Sequence, residues 1–176
     1  AASDVYKRQE ARQAVKAAYS YEGPVYLRFG RLAVPVFHNE DYKFEIGKGE
    51  LVKEGTDVTI IANGLMVAEA IEAGKELEKC SISAEIINMA TIKPLDSELV
   101  VNSAKKTGKV ITVEEHNIVG GLGEAVCAAL SAEYPVPVKR IGINDEFGHS
   151  GPAKDLLKEF GLSAENIVKT AKEFLK

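Results

Sequence analysis

Between Asp57 and Ile143 the chain repeats one pattern that leaves few ways to fold. A short run of β-branched apolar residues is followed by a segment of helical period, and then by another such run. Asp57-Val58-Thr59-Ile60-Ile61-Ala62 has the composition of a strand buried on both faces. Leu65 to Lys79 has helical spacing, Ala84 to Met89 reads as a second strand, and Asp96 to Lys106 as a helix stopped by Gly108. Lys109 to Val113 is a third strand and Gly121 to Glu133 a third helix. Val136 to Ile143 is a fourth strand, and Pro137 places it at a sheet edge. Helices over Pro152 to Phe160 and Ala164 to Leu175 complete the series, with Gly161 closing the first and Ser163 capping the second. Strands alternating with helices of this length predict a mostly parallel sheet covered on both faces. The right-handed crossover rule then yields an α/β three-layer sandwich.

The first third of the chain is less regular. Asp4 to Ser20 predicts a helix that Glu22-Gly23-Pro24 stops, and Val25 to Phe29 predicts a strand. Gly30 to Gly49 has no helical period and reads as an extended linker, with a short strand near Phe44 to Ile46. The composition shift sets a boundary near 37–48. One helix and one strand are too little to fold alone, so the part before the linker reads as the tail of something larger.

Size and composition narrow the function classes. A chain of 176 residues buries about 70% of its surface on folding, enough for one core. A hydrophobic fraction of 45% and a charged fraction of 27% exclude disordered, collagenous and coiled-coil classes. No apolar run is long enough for a transmembrane helix. A net charge of −4 without a basic cluster argues against nucleic acid and against a polybasic membrane patch. Cys80 and Cys127 form no metal-ligand spacing and fit a reducing cytoplasm. His38, His116 and His149 are too scattered to suggest a metal site.

The loop from Glu114 to Ala125 is the most informative. It follows the third strand and opens a helix, which is where open α/β sheets bind ligands and where a helix N-terminus attracts anions. Gly121-x-Gly123-x-x-Val126 only half matches a dinucleotide fingerprint, and Glu114 and Glu115 would repel a pyrophosphate. The turn at Gly120, Gly121 and Gly123 therefore reads first as a close approach of backbone to backbone. His116 suits acid–base work or ligand contact less well than a place behind a site or at an interface. His149-Ser150-Gly151-Pro152 precedes a helix that Ser150 could cap, and no nucleophile elbow supports a hydrolase. Arg28 and Arg31 flank Phe29-Gly30 at a strand end. Two readings stay open on the residues alone, bidentate phosphate donors or ion pairs with the acid-rich linker. Asn63-Gly64 is either a ligand-facing loop or a simple turn.

Several segments together resemble a known family. Gly23-Pro24-Val25-Tyr26-Leu27-Arg28-Phe29-Gly30-Arg31 is similar to the last strand of the pyrimidine-binding domain of transketolase-like thiamine diphosphate enzymes. Ile86 to Asp96, Thr112 to His116 with Gly120-Gly121-Leu122-Gly123, and Phe147 to Gly151 with Leu156-Leu157 resemble their C-terminal domain. The likeness runs from Glu10 to Lys176 and is nearest to the C-terminal section of split bacterial transketolases.

The resemblance implies an organisation of 10–36 as the tail of a pyrimidine-binding domain, 37–48 as linker and 49–176 as the C-terminal domain. Residues 1–9 do not resemble the family's preceding segment and are set aside as a non-native leader. It implies transfer of a two-carbon ketol unit between sugar phosphates, with thiamine diphosphate and Mg²⁺ in the intact enzyme. The activating glutamate and the Gly-Asp-Gly motif for the diphosphate are not in this sequence. No catalytic residue and no metal ligand is therefore assigned to it, no cofactor is expected on this chain alone, and the chain alone is expected to be inactive. Arg31, and with it Arg28, is implied as the holder of substrate phosphate. Glu114, Glu115, His116, Gly120, Gly121 and Gly123 are implied near a subunit contact. Expected partners are an N-terminal subunit or domain carrying the diphosphate site and a second copy in a homodimer. Alternatives are the C-terminal part of 1-deoxy-D-xylulose-5-phosphate synthase, that of a 2-oxo acid dehydrogenase beta subunit, or a non-enzymatic α/β interaction module.

Overall fold

Five strands form the central sheet of this computed structural model, which describes residues 2–5, 8–30 and 42–176. In chain order the elements begin with β1 (Ala2–Val5), α1 (Arg8–Ser20), β2 (Tyr26–Phe29), β3 (Glu50–Lys53) and β4 (Val58–Ala62). Then come α2 (Met66–Glu78), β5 (Ala84–Asn88), β6 (Thr91–Lys93), α3 (Ser97–Thr107) and β7 (Val110–Asn117). The chain ends with α4 (Leu122–Glu133), β8 (Val138–Ile143), α5 (Ala153–Glu159) and α6 (Ala164–Leu175).

The central sheet has the order β3-β5-β4-β7-β8, with β5, β4, β7 and β8 parallel and β3 antiparallel at one edge. All five residues of β4 and of β5 are buried, the polar Thr59, Glu85 and Asn88 included, as inner strands of a sheet covered on both faces require. Val58, Ile60 and Ala62 pack with Met66, Leu77, Ile167 and Ala171 on the side of α2 and α6. Ile61 and Ile87 pack with Val100, Leu122 and Leu130 on the side of α3 and α4. Each fully buried Ile or Leu contributes about 1.5–3 kcal/mol, so the core lies on both faces of this one sheet. The expected mostly parallel three-layer sandwich is therefore the fold observed. β8 does lie at an edge, where exposed Lys139 and Arg140 guard it against strand addition.

The caps follow their chemistry. Asp96 accepts the Leu99 N–H at 3.2 Å, and Gly108 ends α3 in the left-handed region. Ser163 caps α6 by accepting the Asn166 N–H, whereas Ser150 does not cap α5, whose N-cap position is Pro152.

Three local expectations are corrected. The predicted helix from Asp4 starts only at Arg8, because Ala2–Val5 is drawn into a second sheet of order β2-β1-β6. The strand near Phe44 to Ile46 does not form, and a turn takes its place, with Gly47 at φ 87°. β3 and β6 form instead, both short and with mixed burial, so neither carries the alternation that reveals a strand. Among the described residues no helix is long and apolar enough to cross a membrane.

Candidate functional site

The chain leaves β4 on one side toward β5 and returns on the other as β7, so the crevice outside the carboxyl ends of β4 and β7 is the topological switch point. β7 extends four residues past the predicted Val113 and carries Glu114, Glu115, His116 and Asn117 to that crevice. Its register on β8 shifts between Val113 and Asn117, an irregularity of the kind that re-aims residues beside a site.

Glu114 is 1% exposed. Its Oε2 accepts the Leu122 N–H at 2.7 Å and its Oε1 accepts the Gly123 N–H at 2.8 Å. These are N–H groups of the first turn of α4, which have no partner inside the helix. The carboxylate thus neutralises the positive end of the helix that the glycine turn presents. The close approach needs glycine at 121, because a Cβ there would run into the Glu114 carboxylate. Gly120, at φ 77°, makes the turn possible, and its N–H is held by Glu124 Oε2 at 2.9 Å. Burial pushes the Glu114 carboxyl above the usual carboxylate range, against the opposing pull of the two N–H groups, His116 and Arg140.

The neighbours complete a braced loop. His116 Nδ1 lies 2.8 Å from the Asn117 carbonyl oxygen and 4.0 Å from Glu114 Oε2. Asn117 accepts the Val119 N–H and donates to Asp145, and Arg140 donates to the Ile118 carbonyl at 3.0 Å. The main-chain carbonyl of Glu115 accepts a hydrogen bond from Arg28 Nη1 at 3.1 Å. Arg28 is therefore bound to the carboxyl end of β7. Arg31 and His38 lie outside the described residues. His149 is not at this edge cluster: it pairs with Glu159 at 2.7 Å and packs on the Phe160 ring.

A second polar cluster carried no sequence signal. Glu10 is 1% exposed, and its Oε1 accepts from Asn88 Nδ2 at 2.8 Å and from the Tyr42 hydroxyl at 3.2 Å. Burial, with the nearby Glu10 and Glu50 carboxylates, raises the Tyr42 phenol far above its ordinary value. This cluster ties α1 to the carboxyl end of β5.

The glycine turn does not fit a diphosphate. The helix N–H groups that would bind it already hold a buried carboxylate, and a second anion would meet that charge at close range. Among the described residues no group of three or more His, Cys, Asp or Glu side chains gathers as a metal site. What the arrangement does chemically is brace a loop and present backbone.

Comparison with known proteins decides the family. Residues 47–167 match the transketolase C-terminal domain. The chain belongs to that family. A solved structure described as a split gene transketolase, inactive beta4 tetramer, superposes with a TM-score of 0.95 at 47% identity, covering 99% of this chain and 57% of that one. An apulose-4-phosphate transketolase subunit of Phocaeicola vulgatus is 46% identical over 169 residues, 96% of this chain and 54% of the relative. 1-Deoxy-D-xylulose-5-phosphate synthase of Heliobacterium modesticaldum is 41% identical over 167 residues, 93% of this chain and 26% of the relative. This transketolase-type chain thus spans about half the length of the transketolase subunit it matches.

Proposed function

We propose that this chain is the C-terminal part of a thiamine diphosphate-dependent transketolase that moves a two-carbon ketol unit between sugar phosphates. Its own contribution is assembly of the enzyme, together with one guanidinium, that of Arg31, for substrate phosphate. Thiamine diphosphate and Mg²⁺ enter with a partner subunit or domain that bears the diphosphate site. The observation that carries this reading is the Glu114 clamp: the helix end that the glycine turn poises for an anion is filled from within, which suits a scaffold better than a cofactor cradle. Val15 and Tyr19, exposed and four residues apart on one face of α1, support a face that assembly covers. Both cysteines are free thiols, in keeping with a cytoplasmic setting.

The test is reconstitution. The purified chain is expected to show no ketol transfer alone, and transfer is expected only when both the pyrimidine-binding segment with its activating glutamate and a subunit carrying the diphosphate site are supplied to it; transfer by the lone chain would overturn the assignment. In the assembled enzyme, Arg31→Ala is expected to raise KM for phosphorylated sugars about ten- to a hundred-fold more than for unphosphorylated ones, the worth of a charge-assisted phosphate contact. Equal effects on both would remove Arg31 from the phosphate site. The identity to the synthase keeps a second reading in view, and formation of 1-deoxy-D-xylulose 5-phosphate by the assembled enzyme would decide for it.

A further inference from the structure

Two exposed features stand at the carboxyl ends of the sheet strands. The first is the outer face of α1, which the Glu10 to Asn88 bond holds at the end of β5. Glu10 and Ala14 are buried, so Arg12, Val15, Lys16 and Tyr19, three and four residues apart and all exposed, share the outward side. Neither Arg12 nor Lys16 has an ion pair among the described residues. The second is the loop after β8. Asn117 donates to Asp145 at its start, at 2.9 Å, and His149 pairs with Glu159 at its far side, at 2.7 Å. Between these ties stand Glu146, exposed and without an ion pair among the described residues, and Phe147, which is 95% exposed. An aromatic side chain held out on a loop already fixed on both sides costs little further ordering when it is covered. Exposed Val119 is bound through its N–H to the same Asn117.

The two features are opposite in charge and alike in setting apolar side chains beside the charge. We propose that this carboxyl edge is the interface for a second copy of this chain, in which the α1 face of each copy lies on the Glu146–Phe147 loop of the other. Arg12 and Lys16 then face Glu146, and Val15 and Tyr19 cover Phe147 and Val119. A two-fold relation makes the same contact twice. The features sit at the ends of β5 and β8, three strand spacings apart in the sheet order, so a two-fold axis that brings two such edges together sets each against its complement. Charge selects this pairing. Packing α1 on α1 would oppose Arg12 and Lys16 to their own copies, and packing loop on loop would oppose the two Glu146 carboxylates. This inference rests on the assembly role proposed above, to which it adds the surface and the partner.

Sedimentation equilibrium of the purified chain and its variants tests it, with Tm measured on each to show that the fold is kept. The wild-type chain is expected to form dimers at micromolar concentration and to dissociate more readily as salt is raised. The pair Arg12→Glu/Lys16→Glu and the single change Glu146→Lys are each expected to raise the dimer Kd at least about tenfold, and the three changes together to return it to within about threefold of the wild type. Phe147→Ser is expected to raise Kd about tenfold with little change in Tm, since the ring stands in solvent. Glu173→Lys is the control. It makes the same change of net charge as Glu146→Lys on α6, whose end Lys109 holds at the start of β7, away from the proposed interface, and it is expected to leave Kd unchanged. A monomer at every concentration, a Kd that none of these variants moves, or losses that the combined reversal does not repair would overturn the proposal. An effect of Glu173→Lys equal to that of Glu146→Lys would reduce the contact to net charge and overturn it as well. If the chain stays monomeric while Arg12→Glu/Lys16→Glu weakens its binding to the subunit with the diphosphate site, the α1 face belongs to that subunit and the proposal falls. Ketol transfer on reconstitution is read separately, so its failure would remove the transketolase reading without touching the dimer result.

Discussion

Glu114 shows how a single side chain sets the character of a site. Two N–H donors and near-complete burial make it an internal anion for α4. Glu114→Gln keeps the shape but sets an amide group against one of the two N–H donors. A loss of about 2 kcal/mol is expected, or a fall in Tm of roughly 4–8 °C. The pH dependence follows from the raised carboxyl. In the window above the ordinary carboxylate range the folded chain holds a proton there that the unfolded chain has released. Stability from this group is therefore full at the acid end and declines as pH rises through that window. Denaturant titrations of the wild type at stepped pH check this, with Glu114→Gln as the variant that has no group to titrate there. The sequence marked Glu114 as a charge that repels an anion. That it is itself the anion depends on a fold-back from α4 that no local pattern encodes.

At the scale of elements, periodicity revealed every long strand and helix of the central sheet, because burial on both faces writes a continuous apolar run. It missed β3 and β6, whose three or four residues owe their existence to neighbours far along the chain. It also missed the ties from Glu10 to Asn88 and from Arg28 to Glu115, which span 78 and 87 positions of chain. One element carries an ion pair no pattern announced. Glu85, fully buried in β5, is bound by Lys106 of α3, which also pairs with Glu54. Lys106→Met strands that carboxylate and is expected to cost about 3 kcal/mol, lowering Tm by roughly 6–12 °C. Adding Glu85→Leu is expected to return most of the loss, because an apolar residue there needs no partner. Calorimetry on the two variants checks both steps.

For the whole molecule, the exposed apolar side chains of Val15, Tyr19, Tyr26 and Phe29 fall on one short unit, α1 with β2, while the central sheet is closed on both faces. Self-association, or docking to the partner with the diphosphate site, is the expected behaviour. Sedimentation equilibrium at micromolar chain is expected to give at least two copies per particle, and a strictly monomeric mass would count against it. Tyr19→Ser with Tyr26→Thr is expected to weaken that association while moving Tm little, since both side chains stand in solvent.

A helix end that carries its own resident counter-charge is also a socket with a removable plug. Glu114→Gly would leave two aligned amides facing a small hollow with nothing to bind. A molecule the size of formate could then settle there and restore order, turning a piece of scaffold into a chemically addressable switch.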